Sequence, residues 1–279
     1  MDIPARSPVR LSISCVSYAL DAPVLIATLE SLVQACVFAK QSGLLTEVQL
    51  FLIDNGPDQN NKNALQEIQE AFARQFDHIT LLSGHGNLGY GRGNNLALLQ
   101  TNCDYHLVLN PDVLLARDNL HIALAYMQQQ TDVALLAPDG VGEQGERQFL
   151  AKRHPSFLVL LARATRHPWL CKKIKTQMDA YEYRDLIPAV QPLDIELASG
   201  CYMLLRTPMA RQVGGFDPAF FMYFEDFDLS RRIARVGRVR HHPAVKIIHF
   251  GGEAAKKGGG HTRLFLTSYI KFLIKYFLK

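Results

Sequence analysis

Between Arg10 and Pro138, five short apolar, β-branched runs alternate with four stretches of helical pattern, and nothing else in the sequence restricts the fold as much. The runs are "RLSISCVSY" (10–18), "VQLFLIDNG" (48–56), "HITLLS" (78–83), "YHLVLNPDV" (105–113) and "VALLAP" (133–138). Apolar periodicity predicts helices at about 23–39, 61–75, 94–101 and 117–129. Strands joined through helices lie parallel, and a parallel sheet needs helices on both faces to cover it. The expected class is therefore α/β, with a mostly parallel Rossmann-like central sheet flanked by helices. In such sheets ligands sit at the carboxyl ends of the strands. Those ends carry Asp54-Asn55-Gly56 and Asn110-Pro111-Asp112.

The pattern then changes. Residues 139–192 have no clean period and read as an excursion or lid. "LDIELASGCYMLLRTP" (193–208) resumes strand character. "FEDFDLSRRIARVG" predicts a helix with Leu229, Ile233 and Val236 on one face and Gly237 as its stop. "VKIIHFGG" (245–252) predicts a further strand. On this organisation residues 1–252 form one domain, with halves at about 10–138 and 193–252, and residues 253–279 form a basic amphipathic tail.

A chain of 279 residues suits one large domain or two small ones. Its net charge of +4 is too weak to argue for a nucleic-acid partner. The five cysteines are odd in number and form no C-x-x-C, against both a disulfide framework and a zinc ribbon. The N-terminus lacks an apolar signal region, and no unbroken apolar run reaches the roughly 18–20 residues that span a bilayer. A reducing, cytoplasmic location is the simplest expectation. Beyond Phe250, Lys256, Lys257, Arg263, Lys271, Lys275 and Lys279 face one acid, Glu253. Lys271, Lys275 and Lys279 form one stripe on an apolar C-terminal helix. Such a helix either lies in an anionic membrane surface, lysines at the headgroups, or packs on protein with its lysines in solvent.

Several motifs carry chemistry. "FFMYFEDFDL" (220–229) sets Glu225, Asp226 and Asp228 among four phenylalanines, a tyrosine and a methionine. Buried carboxylates need partners, water or a chemical task. At a helix start they gain about 0.3–1 kcal/mol as anions, the form a general base requires. Arg231 and Arg232 pair either with these acids or with phosphate. Plain capping, with Asp228 and the arginines on a solvated face, accounts for Asp228. "SGHGNLGYGRGNN" (83–95) contains G-x-G-x-x-G, but after the third strand and without the ribose-binding acid. What remains is a loop that either approaches a ligand closely or merely connects. Asp112 either binds a divalent cation holding a diphosphate or closes its Asn-Pro turn. His249 ends a β-rich run, with His241 and His242 as competitors for any role.

Taken in order, "VSY" (16–18), "LIDNG" (52–56), "GNLGYGRGNN" (86–95), "LNPDV" (109–113), "SGCYMLLR" (199–206), "GGFDPAFFMYFEDFDLSRRI" (214–233) and "IIHFGG" (247–252) resemble the inverting nucleotide-sugar glycosyltransferases of family 2. That family has the GT-A fold. The likeness covers roughly residues 10–252 and is closest to the rhamnosyltransferase-like branch of bacterial surface polysaccharide synthesis. It implies that Ser17, Tyr18, Asp54 and Asn55 line the nucleotide-sugar site, with Asp54 at the nucleoside. Asn87, Gly89, Arg92 and Asn95 are implied beside the nucleotide, together with Asn110 and Asp112. Asp112 stands where the family's D-x-D motif ends and is the implied ligand of Mg²⁺ or Mn²⁺, with His249 as a second ligand. Asn110 replaces the motif's first acid and removes one negative charge from the metal site. Asp226 is the implied catalytic base, beside Glu225. Gly200, Phe221, Tyr223 and Glu225 are implied at the acceptor, with the "FFMYF" run as a sugar-stacking wall.

The implied reaction is one displacement at the anomeric carbon, with inversion, in which Asp226 takes the acceptor's proton. A placed base is worth roughly 10²–10⁴-fold. The first expected donor is dTDP-L-rhamnose and the alternative a UDP-hexose. The expected acceptor is a lipid-linked saccharide, such as a polyprenyl-diphosphate sugar or lipopolysaccharide core, met at the cytoplasmic face of the inner membrane. The half at 10–138 then binds nucleotide and the half at 193–252 acceptor. A sugar-1-phosphate nucleotidyltransferase is disfavoured, because "VSYALDAPVL" has neither glycine nor basic residue. A catalytically inactive membrane scaffold is opposed by the joint presence of Asp54, Asp112, Asp226 and His249.

Overall fold

The computed structural model describes residues 7–165, 167–251 and 258–277. Its elements are, in order, β1 (Val9–Ser17), α1 (Ala22–Gln41), β2 (Leu45–Asp54), α2 (Gln59–Phe72), β3 (His78–Leu82), α3 (Tyr90–Leu98), β4 (Tyr105–Leu109), β5 (Val113–Leu115), α4 (Asn119–Gln129) and β6 (Val133–Val141). There follow β7 (Arg147–Gln148), β8 (Ala151–Lys152), α5 (Phe157–Thr165), α6 (Pro168–Lys173), α7 (Lys175–Tyr181), β9 (Leu193–Asp194), β10 (Leu197–Ala198) and β11 (Tyr202–Arg206). Last come α8 (Thr207–Gln212), α9 (Glu225–Ile233), β12 (Arg238–His249) and α10 (Gly258–Phe277).

One ten-stranded sheet runs in the order β3-β2-β1-β4-β11-β6-β12-β5, with β7 on β6 and β9 on β12. The predicted parallel arrangement holds for β3, β2, β1 and β4. β11 then inserts antiparallel between β4 and β6, and β12 pairs parallel with β6 but antiparallel with β5, so the second half is mixed. β4 is buried along its whole length because helices cover both faces of the sheet centre. α1 is long and apolar enough by composition to cross a bilayer. Its Leu25, Leu29 and Leu32 are fully buried in the core.

Topology brings the chemistry to one edge. β4 lies at the sheet centre, whereas β5, which begins after only three intervening residues, lies at the far end. The Asn110-Pro111-Asp112 turn makes that crossing. Register then sets Val113 opposite His249, which carries Asp112 to the end of β12.

Three elements differ from expectation. α3 begins at Tyr90 rather than near Asn94, because its glycines meet neighbours: a Cβ on Gly91 would lie 2.9 Å from Phe216 Cβ. Tertiary packing overrides their low helix propensity. β12 begins at Arg238, well before Val245, and the featureless 139–192 region holds β7, β8, α5, α6 and α7. In α10, Ser268 Oγ donates to Met222 O at 2.7 Å and Lys271 Nζ to Ala219 O at 2.8 Å. Lys275 Nζ reaches Asp217 at 2.6 Å, so these two lysines of the expected stripe turn back to the protein. Gly252, Glu253, Lys256, Lys257 and Lys279 lie outside the described residues.

Candidate active site

At the carboxyl ends of β1 and β2, Ser17, Asp54 and Asn55 are buried and Tyr18 is exposed. Asp54 Oδ1 accepts from Gly56 N at 2.9 Å and from Asn61 Nδ2 at 2.6 Å, so the first turn of α2 fixes this carboxylate. Beside it runs an open groove of about 320 Å³ lined by Asp54, Gly56, Pro57, Lys62, Gly84 and Gly86. Lys62 escaped the sequence reading because a lone lysine on a helix resembles any solvated one. Asn55 Nδ2 donates to Gly89 O, and Asn87 Oδ1 accepts from Gly89 N, both at 2.9 Å. Gly89 has φ +83°, and a Cβ there would lie 2.2 Å from Phe221 O, so only glycine fits. Tyr90 N donates to that same carbonyl at 3.0 Å. The loop is thus joined directly to the acidic, aromatic segment. Arg92 and Asn95 brace that segment from α3: Arg92 Nε donates to Pro218 O at 2.8 Å, and Asn95 pairs with both backbone groups of Phe216 at 2.8 Å.

Asp112 and His249 meet, with Oδ1 3.6 Å from Nε2. Asp112 Oδ1 is buried and has no hydrogen-bond partner among the described residues. Gln148 holds the ring from behind: its Oε1 lies 2.8 Å from His249 Nδ1, and its Nε2 donates to His249 O at 2.8 Å and Gly251 O at 3.1 Å. An amide oxygen only accepts, so Nδ1 carries the proton and Nε2 presents a lone pair towards Asp112. Burial lowers the His249 pKa, against the opposing charge of Asp112, and keeps the ring neutral at neutral pH. An unpartnered carboxylate oxygen beside an imidazole lone pair fits Mg²⁺ or Mn²⁺. A Cβ on Gly251 would lie 2.2 Å from Asp112 Oδ2, so a side chain there would crowd the pair. Asn110 N donates to Cys201 O at 2.9 Å, fastening the turn to β11. The competing histidines lie elsewhere: His241 Nδ1 is on Pro138 O, and His242 packs edge-on to Tyr126. Gln148 sits on a two-residue strand, too short to leave any periodic signal.

Glu225 and Asp226 open α9. The two residues before them, Tyr223 and Phe224, have φ of +69° and +66°. Left-handed backbone costs non-glycine residues about 1–2 kcal/mol each. Such strain persists where the surroundings impose it, and it gathers at functional sites. Asp226 Oδ2 accepts from Gly200 N at 2.9 Å, and Oδ1 from Phe227 N at 2.8 Å. Burial lifts the Asp226 pKa to about 6 against the pull of these two donors. Burial first, and then the charge of Asp226, lifts Glu225 further. Glu225 Oε2 has no hydrogen-bond partner among the described residues. Burial thus raises both acids, Glu225 further than Asp226. Cys201 lies in the field of both ends of the site: burial chiefly, and then the charges of Asp112 and Asp226, push its thiol up to about 12.

Two expectations for the aromatic segment fail. Asp228 is fully buried rather than on a solvated face, and it accepts from Arg232 Nε at 2.7 Å, from Tyr276 Oη at 2.6 Å and from Lys275 Nζ. Phe220 and Phe224 are not a sugar-stacking wall, because they pack with Leu160, Tyr269 and Phe272 in a core beneath α10. Tyr223 meets Phe265 of α10 edge-on, with centroids 5.7 Å apart. The physical reason is common to both: α10 needs its apolar face covered, and this segment covers it. Arg231, read as a partner for acids or phosphate, lies 4.1 Å over the Tyr276 ring.

Residues 15–213 match the family described as Glycosyl transferase family 2. The N-acetylglucosaminyl-diphospho-decaprenol L-rhamnosyltransferase of Mycobacterium tuberculosis is 27% identical over 232 residues, spanning 76% of this chain and 70% of the relative. The rhamnosyltransferase WbbL of Escherichia coli is 26% identical over 207 residues, spanning 68% and 70%. A Pyrobaculum calidifontis mannosyltransferase, solved with GDP-Man and Mn²⁺, superposes with TM-score 0.60 at 14% identity over 89% of this chain and 59% of that one. GalNAc-T7, solved with UDP, GalNAc and Mn²⁺, gives 0.61 at 13% identity over 88% and 44%. This chain spans less than two thirds of either solved protein, and at such identities they speak to the fold alone, which is GT-A. With the family match covering well over half of its length, this chain belongs to glycosyl transferase family 2.

Proposed function

We propose that this protein is an inverting, metal-assisted rhamnosyltransferase. It moves L-rhamnose from dTDP-L-rhamnose to a hydroxyl of a lipid-linked glycan, at the cytoplasmic face of the membrane, in bacterial cell-surface polysaccharide synthesis. The observation that carries the reading is the buried Asp226 carboxylate, held by the Gly200 N–H at the sheet edge that also bears Asp112 and His249. Its pKa suits a base working near neutrality. The rhamnosyl donor is supported by the names of both curated relatives, and the lipid-linked acceptor by the decaprenol of one.

The roles follow from chemistry. Asp54 and the adjoining groove hold the nucleoside, and the Asn87–Gly89 loop lies along the nucleotide. Asp112 and His249 would hold the Mg²⁺ or Mn²⁺, which supplies positive charge against the departing diphosphate. Asp226 accepts the acceptor's hydroxyl proton as the new C–O bond forms and the bond to the diphosphate breaks. Glu225, protonated, donates a hydrogen bond to the acceptor.

The test has two parts. Calorimetry with dTDP, UDP and GDP, with and without Mn²⁺, is expected to show metal-dependent preference for dTDP. Incubation of dTDP-L-rhamnose with polyprenyl-diphosphate N-acetylglucosamine is expected to add one deoxyhexose with inverted configuration. UDP preference would overturn the donor, and retained configuration the single displacement.

A further inference from the structure

A lipid-linked acceptor needs its enzyme at a membrane, and one region of the surface is suited to that contact. Residues 147–178 contain eight Lys/Arg and no Asp or Glu; Arg147, Lys152 and Arg153 pair with Asp139, Glu182 and Asp185, and Lys172, Lys173 and Lys175 are exposed. The helices of this stretch are anchored inward by Val159, Ile174 and Tyr181, while Leu160 joins the aromatic cluster beneath α10. Phe227 of α9 packs against both clusters, so α5, α6 and α10 adjoin one another around the helix that begins with Glu225 and Asp226. Their outer sides are apolar: Phe157 is 58% exposed, Trp169 63% and Ile270 54%. Lys172 and Lys173 are exposed beside them, with Lys173 4.9 Å over the Trp169 ring. Nucleic acid or an acidic protein would match the charge but leave these large apolar side chains without cover. A bilayer interface takes both, with rings at headgroup depth and lysines on anionic lipid.

We propose that α5, α6 and the outer edge of α10 form a docking surface for an anionic lipid bilayer. Phe157, Trp169 and Ile270 enter at headgroup depth, and Lys172 and Lys173 contact the anionic headgroups. The assignment deepens the proposed function and rests on its lipid-linked acceptor. It differs from the lysine stripe expected on the C-terminal helix, since Lys275 is committed to Asp217 and Asp228.

Trp169 is the chain's one tryptophan, so the fluorescence of the whole protein reports this surface directly. Vesicles of phosphatidylcholine, with and without phosphatidylglycerol, are prepared with brominated acyl chains. A blue shift and bromine quenching of Trp169 are expected with the anionic vesicles alone. Each lysine at such a surface contributes about fivefold to partition, so Lys172→Ala with Lys173→Ala should weaken binding roughly 25-fold. Ile270→Ser, on the other element, should weaken it independently, with dTDP affinity retained in all variants. Vesicle binding without Trp169 quenching, no vesicle binding, or a Trp169 response to RNA but not to vesicles would each overturn the surface. Transfer in detergent micelles separates the two readings. Intact quenching without transfer to any lipid-linked acceptor sinks the acceptor and leaves the surface; transfer in micelles without quenching does the reverse.

Discussion

The backbone N–H of Gly200 donates to Asp226 Oδ2 at 2.9 Å, while its carbonyl accepts from Tyr90 Oη at 2.7 Å. One residue between β10 and β11 thereby ties the acid of α9 to the helix that follows the glycine-rich loop. A Cβ at this position would lie 3.2 Å from Tyr90 Cε1 and 3.3 Å from Asp226 Cβ, tighter than side chains ordinarily pack. Gly200→Ala should push the carboxylate by a few tenths of an ångström and lower kcat about tenfold. Steady-state kinetics beside dTDP calorimetry checks this, because nucleotide affinity should not move.

The environment of Asp226 sets a pH dependence. Burial raises its pKa to about 6, and a base acts only when ionised. The rate should therefore fall about tenfold per unit below that pH and fall again above about pH 8, where Glu225 loses the proton it donates, whereas an ordinary aspartate would hold the rate down to about pH 4. A pH–rate profile at saturating donor and acceptor reads the value directly.

Gln148 fixes which nitrogen of His249 faces Asp112. Gln148→Leu removes the acceptor for Nδ1–H and should weaken Mn²⁺ binding in the presence of dTDP about 10–100-fold. Gln148→Glu keeps that acceptor but sets an oxygen against the His249 and Gly251 carbonyls, and should restore affinity only in part. Titration of Mn²⁺ followed by electron paramagnetic resonance measures both without turnover.

Lys275 joins α10 to the catalytic helix through Asp217 and the buried Asp228. Lys275→Met leaves Asp228 to Arg232 and Tyr276 and should cost about 1.5–3 kcal/mol. The melting temperature should fall by about 3–5 °C. Differential scanning calorimetry gives the number, and limited proteolysis shows whether α10 is the part released.

Much of this was legible in the sequence because it depends on local pattern. The β-branched runs and their intervening helices give β1 to β4, β6 and α1 to α4, and the polar residues ending β2 and β4 mark the ligand edge. The family resemblance, rather than local pattern, pairs Asp112 with His249, and β12–β5 register brings them together. What was not legible depends on long-range partners. Asp228 reads as solvated because Arg232 is four residues away on the same helix, while Lys275 and Tyr276 arrive from 47 and 48 residues along the chain. Phe220 and Phe224 read as a binding wall because nothing local says that α10 covers them. The start of α3 was missed because glycine propensity speaks against a helix that the packing of Gly91 on Phe216 demands.

The central claim is that Asp226 is the base, and Asp226→Asn tests it most directly, since the amide oxygen can still accept from Gly200 N while the proton acceptor is gone. The measurement is kcat for rhamnosyl transfer, taken beside the affinity for dTDP with Mn²⁺. A fall of about 10²–10⁴-fold in kcat with nucleotide affinity unchanged is the expected result. Full transfer activity in the variant would contradict the account and remove Asp226 from the reaction.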